Sequence, residues 1–195
     1  MGGASMLLLV TVAALTGEGY DRIGEKSGVT VYRRSGHAID LAAEGDIEAT
    51  PSVVLKILTD YASHPKWVHG LAVSRVVDRG ERSLDVYQRL SLPMLDDRDF
   101  SMHVTWTGDG DGIRVIRFKT TNDKAPPPEK GVVRVPLHEG SWQLESVDGG
   151  RRTHAVYQFK MELGGSLPMW MARGRACKDV PGLFDAIRKQ VPYYK

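Results

Sequence analysis

A single cysteine, Cys177, occurs in the 195 residues, which excludes an internal disulfide framework and a cysteine-rich zinc site. Its neighbours Arg175 and Lys178 do not argue an activated thiol, and it reads as a small apolar residue. The six histidines are scattered: His64 and His69 have no third ligand at useful spacing, and no HExxH pair occurs. No metal and no other cofactor is expected. An excess of one charge is also missing, because 26 Lys and Arg are interspersed with 24 Asp and Glu for a net +2, so nucleic acid is not an expected partner. Repeats and low-complexity tails are absent, and the length and apolar content suit one globular domain with a good core.

The apolar run Met6 to Leu15 is ten residues long, against roughly 20 for a helix that spans a bilayer. Its length suits the apolar segment of a secretory signal, with small residues at Val12-Ala13-Ala14, although no Lys or Arg precedes it. The alternative is a short first helix that ends at Thr16-Gly17-Glu18-Gly19. Residues 1–17 are thus a signal peptide or an N-terminal helix, and 18–195 form the domain. The first reading places the protein in the periplasm or outside the cell, the second in the cytoplasm.

Strand signals dominate the remainder of the chain. Val29 to Arg34 and Ile39 to Ile47 read as a first hairpin or meander. Thr50 and Pro51 form an N-cap and first helical residue, and Val53, Val54, Ile57, Leu58 and Tyr61 continue a helix of about 12 residues until His64-Pro65. Val73 to Asp78, Leu84 to Leu92, Phe100 to Thr107 and Ile113 to Thr120 are expected strands, joined antiparallel by short turns that include Gly108 to Gly112. Asn122 to Glu129 is a loop, and Val132 to Val147 and Thr153 to Leu163 are further strand-like runs.

Parity picks out the inward faces. Phe100, Met102, Val104 and Trp106 oppose Asp99, Ser101, His103 and Thr105; Leu84, Val86, Gln88, Leu90 and Leu92 share a face; Thr153, Ala155, Tyr157, Phe159, Met161 and Leu163 share another. Ile116 and Phe118 are read as inward. Gln88 and Tyr157 therefore bring polar groups among apolar ones, to be satisfied by the protein or by a ligand. Gly164-Gly165-Ser166-Leu167-Pro168 imitates a nucleophile elbow, but proline stands where the closing glycine belongs. A last helix from Pro168 lays Trp170, Gly174, Cys177, Pro181, Phe184, Ile187 and Val191 along one stripe, with a kink or break expected at Pro181. The order of elements argues an α+β fold.

In this order, Gly28 to Arg34, the Trp67 region, Val86-Tyr87-Gln88, Arg98-Asp99-Phe100, Gly131 to Val135, Thr153 to Tyr157, and Gly164 to Pro168 with the terminal helix make the chain resemble a START domain, the StAR-related lipid-transfer family, of bacterial type. The resemblance covers roughly Tyr20 to Val191. It implies a helix-grip: a curved antiparallel sheet around a long C-terminal helix, enclosing an apolar tunnel. It also implies a monomer that binds one sterol-like, hopanoid, phospholipid or other acyl lipid, touches membranes transiently and performs no chemistry. Expected ligand contacts are Gln88, Phe100, Met102, Val104, Phe118, Tyr157, Phe159, Trp170, Gly174 and Cys177. Pro93, Met94, Leu95, Leu167 and Pro181 are the expected gate and membrane contacts, and Pro93-Met94-Leu95 independently places large apolar side chains in a solvent-facing turn. Arg98 with Asp99 reads as an ion pair or a head-group site. The alternatives are a polyketide cyclase or aromatase using the same cavity, and a lipid sensor acting through a partner protein.

Overall fold

The structure, a computed structural model, describes Leu15, residues 17–107 and residues 113–195, with Met169 taken by its backbone alone. Apart from Leu15, the signal-or-helix segment Met6 to Leu15 and the turn Gly108 to Gly112 lie outside the described residues.

Ten strands form one twisted sheet: β1 (Tyr20–Lys26), β2 (Val29–Arg34), β3 (Ile39–Ile47), β4 (Leu71–Arg79), β5 (Ser83–Leu90), β6 (Asp97–Thr107), β7 (Arg114–Thr120), β8 (Val132–Arg134), β9 (Leu137–Val147) and β10 (Arg152–Glu162). Their spatial order is β1-β2-β3-β10-β9-β7-β6-β5-β4, with β8 pairing onto β6. The sheet curves without closing, so β1 and β4 remain edges. β1 escapes sequence reading because it is largely charged and exposed, with only Tyr20 buried. The run Val132 to Val147 is not one strand: Pro136 has no N–H for a ladder, and β8 before it pairs parallel to β6, against the expectation of wholly antiparallel pairing.

Helix α1 (Pro51–Thr59) starts as its sequence dictates, with Thr50 Oγ1 accepting from the Val53 N–H at 3.4 Å and Pro51 in the first turn. It is nine residues long rather than about 12, because the backbone turns away at Asp60; Tyr61–Lys66 then form a separate 3-10 helix that accommodates Pro65. Helix α2 (Met169–Tyr194) runs unbroken through Pro181 and Pro192, so the expected break is not observed, and Pro168 serves as its N-cap. Pro181 still deprives the Cys177 carbonyl of a helical partner.

The principal core lies between the concave face of the sheet and the two helices. The inward parity of β10 is as expected, all six residues being buried. On β6, Asp99 and Ser101 are buried too, although alternation places them outward. The 121–135 segment covers that face: Asn122 Oδ1 accepts from the Ser101 N–H at 3.0 Å, and Arg134 grips Asp99 through Nε at 2.7 Å and a second nitrogen at 3.1 Å. The ion pair is thus Asp99 with Arg134, joined by the Tyr87 hydroxyl at 3.2 Å, and not Asp99 with Arg98.

Curvature has a local cause in β9. A Cβ built on Gly140 would lie 2.1 Å from the Gln158 carbonyl oxygen and 2.7 Å from the Phe118 ring, so only glycine permits this approach of β9 to β10. Gly140→Ala should therefore cost at least about 2 kcal/mol, visible as a lowered urea midpoint. An unchanged midpoint would contradict this account of the bend.

Candidate functional site

The concave face of β10 presents Tyr157, Phe159 and Met161, with Leu163 just beyond the strand, and these are too few to meet α2 everywhere. Where the helix contributes Phe184, Ile187 and Val191, contact is complete and all three are buried. Nearer its N-terminus the same face carries Ala172 and Ala176, followed by Val180 and Leu183. Alanine does not reach the sheet, and an apolar cavity of about 530 Å³ remains, within the range of roughly 300–1,000 Å³ usual for small-molecule sites. Trp67, Leu90 and Leu92 form its side wall, and Pro93, Leu95, Leu167 and Met171 surround its opening. The charged liners Arg175, Lys178 and Asp179 are exposed, as is His69, which meets Arg175 at 3.3 Å across the opening.

Of the expected ligand contacts, Tyr157 and Phe159 line this cavity, and of the expected gate residues so do Pro93, Leu95 and Leu167. Phe100, Met102, Val104 and Phe118 are buried behind its wall. Gln88 is also off the wall: its amide donates to Ser74 Oγ at 3.1 Å, opposite it on β4. The helical stripe is corrected in its first half. Trp170 and Gly174 face solvent, Cys177 is half-buried off the wall, and Ala172, Ala176 and Val180 take the inward positions. The large aromatic at 170 pulled the reading away from a plain i, i+4, i+8 row of smaller residues. Met94 is fully exposed at the tip of the turn beside the opening, and Pro181 is buried inside the continuous helix. Arg98 is buried beneath Gly165, with a nitrogen donating to the Asp96 carbonyl.

Polar groups that sequence reading passed over complete the interior. His138 lies opposite Met161 in the β9–β10 register and so shares its concave face, between the rings of Phe100 and Phe118, both 4.9 Å away. Burial holds its pKa down to about 4, leaving it neutral, and its Nδ1 has no partner among the described residues. Alternation with Gly140, Trp142 and Leu144 is the signal that could have found it. Tyr157 stacks on Trp142 at 4.2 Å and on Phe159 at 5.1 Å. Burial pushes its phenol well above the ordinary value, and the nearby Tyr61 phenol adds to the shift. Among the described residues no group of three or more His, Cys, Asp or Glu side chains is placed to hold a metal.

One long helix held in the concave face of an open, curved antiparallel sheet, with an apolar cavity between them, defines a helix-grip protein. The family described as polyketide cyclase / dehydrase and lipid transport matches residues 47–188, and the chain belongs to it, with the fold of the STAR-related lipid-transfer proteins. An uncharacterized protein of Pseudomonas aeruginosa is 31% identical over 152 residues, covering 76% of this chain and 74% of its own. The rat phosphatidylcholine transfer protein is 27% identical, covering 93% of this chain and 88% of that protein. The crystal structure of a STAR-related lipid transfer protein from Xanthomonas axonopodis superposes with a TM-score of 0.79 at 26% identity, covering 89% of this chain and 99% of that one.

His64 is buried as well, its pKa lowered to about 4 by desolvation against the opposing effect of its hydrogen bond to the Ile57 carbonyl. In the unfolded chain both imidazoles titrate near ~6.5. Because the folded values are lower, the unfolded state takes up protons first as pH falls. The stability they confer is complete above that range and is lost toward pH 4, by up to about 1.4 kcal/mol per pH unit for each histidine. Urea midpoints from pH 7.5 to 4.5 should fall less steeply in His138→Phe than in the parent; parallel profiles would contradict the assignment.

Proposed function

We propose that the protein takes one lipid into the cavity under α2, shields it from water and carries it between membranes. The observation that carries this reading is the apolar cavity itself, walled by β10 and by the alanine-bearing half of α2. Burying the apolar body of a ligand there contributes roughly 25 cal/mol per Å² removed from water. The transfer proteins related to this chain support the same reading.

The rim fits a membrane surface. Met94 and Leu95 on one side of the opening and Trp170 and Met171 on the other are exposed, and Arg173, Arg175 and Lys178 stand on the same stretch of α2. Met94 is held in a left-handed conformation, φ 64°, which a non-glycine residue adopts at a cost. Large apolar side chains flanked by cations suit the interface of a bilayer with anionic lipids. Exchange requires the Arg175–His69 and Arg173–Gly36 contacts to part and the first half of α2 to lift, and the unpaired Cys177 carbonyl weakens the ladder near that point.

The family description also names cyclases and dehydrases, and these would need a competent acid and base in the cavity. The His138 imidazole lies off the cavity wall, and the Tyr157 phenol on it, pushed upward by burial, is a weak acid, which favours binding over catalysis. A lipid sensor would share the cavity but need a partner that responds to the ligand.

Replacing Met94 and Leu95 together by serine should slow lipid transfer between vesicles by about tenfold or more, while equilibrium lipid binding stays within about twofold. Equal losses in both assays would contradict the docking role. Ala176→Trp, which fills the cavity, should abolish lipid uptake with the circular dichroism spectrum retained; undiminished uptake would contradict the site.

A further inference from the structure

Tyr157 reaches the cavity from β10, is more than nine-tenths buried, and makes no hydrogen bond through its hydroxyl to any other described residue. Trp67, also on the wall, carries an indole N–H without a partner. Buried hydroxyls ordinarily find partners, because an unpaired one forfeits the hydrogen bond it made with water. An unpaired phenol and an unpaired indole N–H on an otherwise apolar surface therefore suit an oxygen-bearing group.

The charges are arranged in the opposite sense. Arg175, Lys178 and Asp179, the ionised side chains lining the cavity, are exposed at its opening, and His69 stands with them. Deeper in, the polar groups on the wall are a phenol and an indole N–H. Arg98 lies under Gly165, off the wall. A phosphate or ammonium drawn inward would meet no counter-charge there and would lose its hydration. A plain hydrocarbon terminus would leave the Tyr157 hydroxyl and the Trp67 N–H unpaired. An alcohol, ester or ketone answers both conditions, since a phenol donates to a carbonyl and both donates to and accepts from a hydroxyl.

Resting on the lipid-binding reading above, we infer that the Tyr157 hydroxyl, with the Trp67 indole N–H, forms the recognition site for an uncharged oxygen function at the buried end of the ligand, so that the natural cargo is a neutral lipid, a sterol-like alcohol or an acylglycerol, rather than a phospholipid.

The test is competition. The full chain is incubated with vesicles containing equimolar cholesterol, dioleoylglycerol, dioleoylphosphatidylcholine and dioleoylphosphatidylglycerol, re-isolated, and its bound lipid identified by native mass spectrometry. Binding of diphenylhexatriene, a pure hydrocarbon, is measured in parallel. The expected result is preferential uptake of cholesterol or dioleoylglycerol, a fall of about tenfold in that uptake in Tyr157→Phe, and unchanged diphenylhexatriene binding in that variant. The preferred neutral lipid distinguishes an alcohol site from an ester site. Predominant phospholipid uptake, or a Tyr157→Phe variant that loads the neutral lipid as well as the parent, would overturn the inference while leaving lipid binding intact. A parent protein that binds neither diphenylhexatriene nor any of the four lipids would instead remove the lipid-binding reading, and this inference with it.

Discussion

Everything at the site depends on how α2 is held, and its closest packing comes from one half. Phe184 and Ile187 are fully buried, and Phe184 reaches β3 where Gly45 leaves room: a Cβ there would stand 3.4 Å from the ring. Arg188 adds hydrogen bonds to the Asp46 carbonyl at 2.9 and 3.0 Å and to the Ser27 carbonyl at 2.7 Å, fastening the helix to β3 and to the turn before β2. The Tyr194 hydroxyl bonds Asp60 at 2.5 Å, tying the C-terminal end to the end of α1. With that half fixed, the direction of the rest of α2 follows from helical geometry alone. Alanines at 172 and 176 then leave the space that larger side chains would have filled.

A helix anchored at one end and spaced from its sheet at the other separates two requirements that a uniform core would set against each other. Stability resides where side chains interdigitate at the density of a protein interior, and binding where they do not meet. The cavity costs the contacts its walls forgo, and a ligand restores them. Placing the polar but neutral groups inside and the ionised ones at the opening keeps the chamber from carrying an unpaired charge. The exposed apolar residues that border the opening, Met94 and Trp170 above all, belong to segments outside the packed half.

Much of this was legible in the sequence because the sheet obeys simple alternation. The β10 parity, the Thr50–Pro51 helix start and the order of most strands follow from periodicity and capping, and the ordered motifs from Gly28 to Pro168 pointed to the helix-grip fold. Three things were not legible. Alternation places Gln88 on an inward face, but only the β4–β5 register reveals that Ser74 satisfies its amide. The first half of the α2 stripe was set out of phase by starting it at Trp170, whereas the inward row there runs Ala172, Ala176, Val180. The parallel pairing of β8 sets Arg134 opposite Asp99, a contact between residues 35 apart that no local pattern encodes.

The central claim, that this chamber holds a lipid, is tested most directly by native mass spectrometry of the gently purified protein, followed by organic extraction and identification of what it carries. The account predicts one lipid per chain, either co-purified or acquired from liposomes. A protein that remains empty after both would contradict it.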